Sequence, residues 1–177
     1  PVSTFSTRIG TDRYWLALGQ AKAYCVTGSP PVWTDITRAS SDYAASLDTL
    51  WNGGVLNGVP ILNNGVDVPQ VWAPVSTAQK LTALPAWPAN TLVRVLRPWR
   101  NYMFGFDVKQ GGNRFPHRVM WSHSADPGTV PDSWDISDTT KDAGEFDLAG
   151  VGHVIDALPL RDALIVYKEN STYSAKF

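Results

Sequence analysis

Turn residues interrupt this chain about every 8–12 residues, the spacing of short strands in sandwiches, barrels and propellers. Gly19-Gln20, Gly28-Ser29-Pro30-Pro31, Gln110-Gly111-Gly112-Asn113 and Glu169-Asn170 each end an aliphatic or aromatic run. Asn57-Gly58 is the firmest signal, because both central residues of a type I′ hairpin turn need positive φ. Asn63-Asn64-Gly65 reads as a second turn. With 14 Gly, 13 Pro and 8 Trp, the chain has many turns and large aromatics to pack between short elements. The expected fold is all-β, with β-propeller-like blades of short antiparallel strands; a β-sandwich is the alternative.

About ten to thirteen strands can be read at this spacing. Arg13-Tyr14-Trp15-Leu16-Ala17-Leu18 and Lys22-Ala23-Tyr24-Cys25-Val26 form a predicted hairpin. Tyr102-Met103-Phe104-Gly105-Phe106-Asp107-Val108 and Leu164-Ile165-Val166-Tyr167 are the strongest later strands. Residues 41–50 read as one helical turn or a strand. Residues 73–90 are rich in Pro and Ala and read as a surface connection. The organisation expected is a first set of hairpins over 1–84, a Pro-rich connection over 85–90 and a second set over 91–177. The last residues, Tyr173 to Phe177, still read as a strand. Trp33-Thr34-Asp35-Ile36-Thr37 is echoed by Trp134-Asp135-Ile136-Ser137. At about 40–45 residues per blade the chain holds about four, the low end of the propeller range. The chain is therefore read as one continuous domain or as a fragment of a longer chain.

Charge and motif patterns exclude several function classes. Only 18% of residues are charged and the net charge is −1, so no clustered basic face grips nucleic acid. The single cysteine, Cys25, lies in an apolar run and forms no intrachain disulfide. No apolar run is long enough to be a membrane span, and the first residues lack the charged-then-apolar order of a signal peptide. His117, His123 and His153 lack zinc-ligand spacing. No G-x-S-x-G elbow or phosphate-binding loop is present. Arg94, Arg97 and Arg100 flank Trp99 and read as a polar rim.

The loop Met120 to Ser137 holds two Trp and an Asp126-Pro127-Gly128 turn. Ser124-Ala125-Asp126-Pro127-Gly128-Thr129 partly resembles the Asp box of sialidase-type propellers, itself a turn device. Asp132, Asp135, Asp138 and Asp142 read as turn and cap residues. The expected set of catalytic, cofactor-binding and metal-binding residues is empty, and the chain is read as no enzyme.

The order of elements in the second half resembles tail proteins of tailed bacteriophages that carry β-propeller domains, the tail tubular or nozzle class. The elements are Trp121-Ser122, Asp126-Pro127, Trp134, Ala143-Gly144, Gly152-His153-Val154-Ile155, Leu164-Ile165-Val166-Tyr167-Lys168-Glu169 and Ser171-Thr172-Tyr173. The first half fits through Arg13-Tyr14-Trp15, Trp33-Thr34-Asp35-Ile36-Thr37 and Asn57-Gly58 to Pro69-Gln70-Val71-Trp72. Members of that class are longer than this chain.

The resemblance implies a non-catalytic virion protein, assembled in the host cytoplasm. It would join other phage tail proteins, as a homo-oligomeric ring around the DNA channel with at most non-specific contact to passing DNA. No cofactor is implied. Trp72, Trp87, Trp99 and Arg100 are the expected interface residues, read as exposed, since Trp and Arg dominate interface hot spots. The alternative is a carbohydrate-binding, lectin or sialidase-like propeller. A monomeric β-sandwich binding module is a third option.

Overall fold

The computed structural model describes residues 3–9, 11–73 and 76–176. The expectations for Pro1, Val2, Pro74, Val75 and Phe177 lie outside the described residues. All regular structure among the described residues is β, in four antiparallel sheets. The first holds β1 (Ser3–Ile9), β2 (Asp12–Leu18), β3 (Ala23–Thr27) and β4 (Val32–Asp35). The second holds β5 (Asn52–Leu56), β6 (Val59–Asn63), β7 (Gln70–Val71) and β8 (Thr82–Ala83). The third holds β9 (Thr91–Trp99), β10 (Tyr102–Gln110), β11 (Asn113–Trp121) and β12 (Gly144–Asp147). The fourth holds β13 (Val154–Leu160), β14 (Ala163–Lys168) and β15 (Thr172–Ala175). Within each sheet spatial order equals chain order, so every sheet is a simple meander.

Local chemistry explains the turns. Asn57 and Gly58 join β5 to β6 with φ of 50° and 90°, as a type I′ turn requires. Gly111 and Gly112 do the same between β10 and β11, at 57° and 89°. Two stretches differ from expectation. Residues 41–50 form neither a helical turn nor a strand. There the Ser46 amide donates to the Thr49 hydroxyl at 2.8 Å, a side-chain bond that competes with regular structure. Residues 73–90 are not merely a surface connection. Leu81 and Leu84 are buried, and between them β8 pairs with β7 as the outer strand of the second sheet.

Successive sheets pack face to face. Leu16, Leu18, Ala23 and Cys25 of the first sheet meet Leu62, Trp72 and Leu81 of the second. Ile61, Val71 and Leu84 meet Val93, Met103, Val108 and Met120 of the third. Val95, Phe104, Phe106 and Val119 meet Val154, Ala157, Leu164 and Val166 of the fourth. All of β6 is buried because both its faces are covered: Ile61 points to one neighbour and Leu62 to the other. No such cluster joins the fourth sheet back to the first among the described residues.

The first strand of each sheet lies beside the first strand of the next: β1 by β5, β5 by β9, β9 by β13. Contacts along β5 and β9 rise together. Asn52 bonds Arg94 and Leu96, the Gly53 carbonyl takes Arg97, and Gly54 abuts the Pro98 ring. The two strands therefore run parallel. Asn52 is the link: its carboxamide accepts from the Leu96 amide at 2.8 Å and donates to the Arg94 carbonyl at 3.0 Å. It stands in for the backbone ladder that the neighbouring sheets lack between them.

Candidate functional site

A cavity of about 670 Å³ opens where β5, β9 and β13 converge. Its polar lining comes from three of the four sheets. Arg97 reaches across it to Asp156 on β13, at 2.8 and 2.9 Å. Asp107 lies at its wall, 1% exposed, with a φ of 52° that Asp tolerates better than bulkier residues do. This residue inverts the side-chain alternation of β10. Phe104 and Phe106 face the fourth sheet, whereas Val108 beyond it faces the second. Buried there, the Asp107 carboxylate needs cations. Arg114 meets both of its oxygens, and the Arg94 guanidinium stands 3.9 Å away. Asp107 in turn raises the pKa of Arg114, chiefly through that hydrogen bond. Lys109 and the half-exposed head of Arg94 also line the cavity. Carboxylates and cations are interleaved, so the lining is of mixed charge.

A second cavity, of about 420 Å³, lies beside the loop from Ser122 to Ala143 that joins β11 to β12. Trp134, Asp135, Ile136, Glu145 and Met120 line it. The Trp134 ring is buried edge-on against Trp87 at 4.6 Å, and its Nε1 has no hydrogen-bond partner. An unpartnered buried donor costs about 1–3 kcal/mol. Elsewhere the loop is a built connection. Gly128 donates to the Asn57 carbonyl at 2.9 Å, Asn57 to that of Ala125 at 2.7 Å, and the Ala125 amide to the Asn101 carbonyl at 2.8 Å. Asp126 to Thr129 forms the expected turn, and it ties the β5–β6 and β9–β10 turns together at one rim.

The loop aspartates cap local turns. Asp135 accepts from Ser137 and Asp138 from Thr140, each through backbone and side chain. Those bonds lower both pKa values. Asp132 pairs with Lys141. Ser124 reaches Asp142 rather than His123, whose Nδ1 accepts from the Asp142 amide at 3.0 Å. This grouping holds no hydroxyl against an imidazole nitrogen, the contact that nucleophilic catalysis needs. Among the described residues no three His, Cys, Asp or Glu are grouped as a metal site.

The four expected interface residues fall in different environments. Trp72 is wholly buried between the first two sheets, edge-on to Tyr14 at 5.3 Å, with Nε1 donating to the Gln79 carbonyl. Trp99 is buried between the third and fourth sheets. Both therefore correct the expectation of exposure: each ring fills the gap between stacked sheets. Trp87 is half-buried against the second-third core, with Nε1 donating to the Thr91 carbonyl. Arg100 is exposed at the β9–β10 turn, its guanidinium 5.1 Å from the Trp99 ring centroid. The exposed Trp residues are Trp15 and Trp33, neither of them among the four expected interface residues. The available signal was parity: Trp15 alternates with Tyr14 and Leu16 on β2. The chain matches no protein-family model, and no curated protein is significantly similar to it.

Proposed function

We propose that the four sheets are propeller-type blades and that the chain is a non-catalytic structural component of a phage tail. It would assemble with other tail subunits around the DNA channel. The observation that carries the blade reading is the run of first strands, β1, β5, β9 and β13, side by side in chain order. Four-stranded meanders stacked in that way make propeller blades; three of the sheets have four strands and the fourth has three among the described residues. The tail assignment is supported by the element order, from Trp121-Ser122 to Ser171-Thr172-Tyr173. Immunogold labelling of virions of the phage that encodes the chain tests it. Gold confined to tails is expected; unlabelled tails overturn the assignment.

A carbohydrate-binding reading is favoured by one observation: Trp134, whose buried Nε1 has no hydrogen-bond partner, is among the residues that line the second cavity. Sugar hydroxyls are acceptors, and Asp135 and Glu145 beside it are acceptors for sugar hydroxyl protons. Glycan screening of the chain and of Trp134→Phe decides it. Binding that needs the indole N–H supports this reading, and no binding removes it.

A further inference from the structure

We propose that the outer faces of the first and fourth sheets are the two halves of one interface between copies of this chain. The first sheet of each copy would stack on the fourth sheet of the other, closing a ring of eight blades. This rests on the blade reading and names the partner. Every internal junction is a face-to-face stack of neighbouring sheets, and the second and third sheets are covered on both faces. Only the end sheets present a face without a neighbour among the described residues.

Each of those faces carries an apolar patch. On the first sheet Trp15, Val26 and Trp33 stand opposite one another across three strands. Trp15 is 51% exposed and Trp33 56%. Beside Trp33 and Tyr24 a groove of about 380 Å³ runs to the Gly19–Lys22 turn. On the fourth sheet Leu158 pairs with Ile165, Leu160 with Ala163, and Tyr167 flanks them. Leu158, Leu160 and Tyr167 are 48%, 60% and 40% exposed. Contiguous apolar patches of this kind mark interaction surfaces.

Charge fits the same pairing. Arg8 and Arg13 stand directly opposite on the face that carries Trp15, and neither has an ion pair among the described residues. Like charges so placed are destabilising until an acid meets them. They lie next to the β1–β2 turn. In the parallel mode of β5 and β9, that turn lies at the same rim as the β13–β14 turn, where Arg161 and Asp162 are both exposed and without an ion pair among the described residues, and Asp162 supplies the acid. The two faces differ from each other, so the contact is heterologous; two such contacts close the ring and leave no free face. Two copies of the four described sheets make eight, within the range of about four to eight blades in known propellers.

Sedimentation equilibrium of the chain tests this, with Trp33→Lys and Leu158→Lys as variants. The expected result is a particle of twice the 19.4 kDa chain mass. Each variant should weaken association by about 30-fold or more, as a central hot spot does. A 19.4 kDa species at every concentration overturns the proposal, as does a dimer indifferent to both variants. Higher oligomers that both variants leave intact overturn it too. Hydrogen exchange at the Leu96 amide, which donates to Asn52 between sheets, reads the blade stacking by itself. A protected Leu96 in a monomer rejects only the interface; an unprotected one rejects the stacking beneath it. The same protection shows that each variant is folded.

Discussion

The Arg97 guanidinium gives two parallel hydrogen bonds to the Asp156 carboxylate and a third, at 3.1 Å, to the Gly53 carbonyl. One side chain thus joins the first strands of the second, third and fourth sheets. Bidentate geometry is specific to Arg, and Lys does not reproduce it. Asp156 is about a third exposed, so solvent weakens the pair. Arg97→Lys is expected to cost about 1–2 kcal/mol in urea unfolding. Exchange should quicken first in β13. Unchanged exchange there would place the link between sheets elsewhere.

Gly53 is expected to tolerate no side chain. Its φ is 125°, and a Cβ would collide with the Ile61 carbonyl on the paired strand. Gly53→Ala therefore strains the backbone and separates β5 from β6, where Gly53 pairs with Leu62. The expected loss is about 3 kcal/mol or more, read from the urea midpoint. A midpoint shift worth under about 1 kcal/mol would contradict this account of the β5 backbone.

Acid should release the 38–46 segment. Burial opposes ionisation of Asp67, but the Ala44 amide, Asn64 and Arg38 outweigh it and hold its pKa below the usual carboxylate value. A carboxylate depressed in the folded state contributes stability above its unfolded pKa and loses it as pH falls through the folded one. That contribution is thus complete above about pH 5 and gone once Asp67 is protonated. Asp67→Asn should flatten the acid limb of a stability-versus-pH curve and expose Ala44 to exchange. A limb as steep as before would show that other carboxylates set it.

Trp72 and Trp87 should behave differently from interface residues. Trp72→Ala empties the gap between the first two sheets and is expected to cost about 3–5 kcal/mol. Trp87→Ala uncovers Trp134, so it should lower the stability of the monomer itself. A stable Trp87→Ala monomer with altered self-association would instead restore Trp87 as an interface residue.

Strand content and most turns were legible in the sequence because turn chemistry is local. Asn57-Gly58 needs only its own φ angles. Sheet stacking was less legible, because it depends on which face of each strand is covered. β6 reads as one apolar run, and only its two neighbours show that Ile61 and Leu62 serve different cores. The inversion at Asp107 hid likewise, since period-2 reasoning assumes unbroken alternation. Tryptophans were misplaced for the same reason. A large ring looks like a surface anchor when only hot-spot composition is considered, yet Trp72 fills a gap between sheets. Of the seam, Arg94 and Arg97 drew notice in the sequence, but Asp156 lies 59 residues from Arg97 and nothing local marks it as the partner.

Class averages of the purified particle by electron microscopy test the central claim, that the sheets are blades ranged about an axis. The account predicts wedge-shaped sheets arranged radially, with β1, β5, β9 and β13 innermost beside a central opening. A two-layer particle with no opening would contradict it and return the chain to the sandwich class.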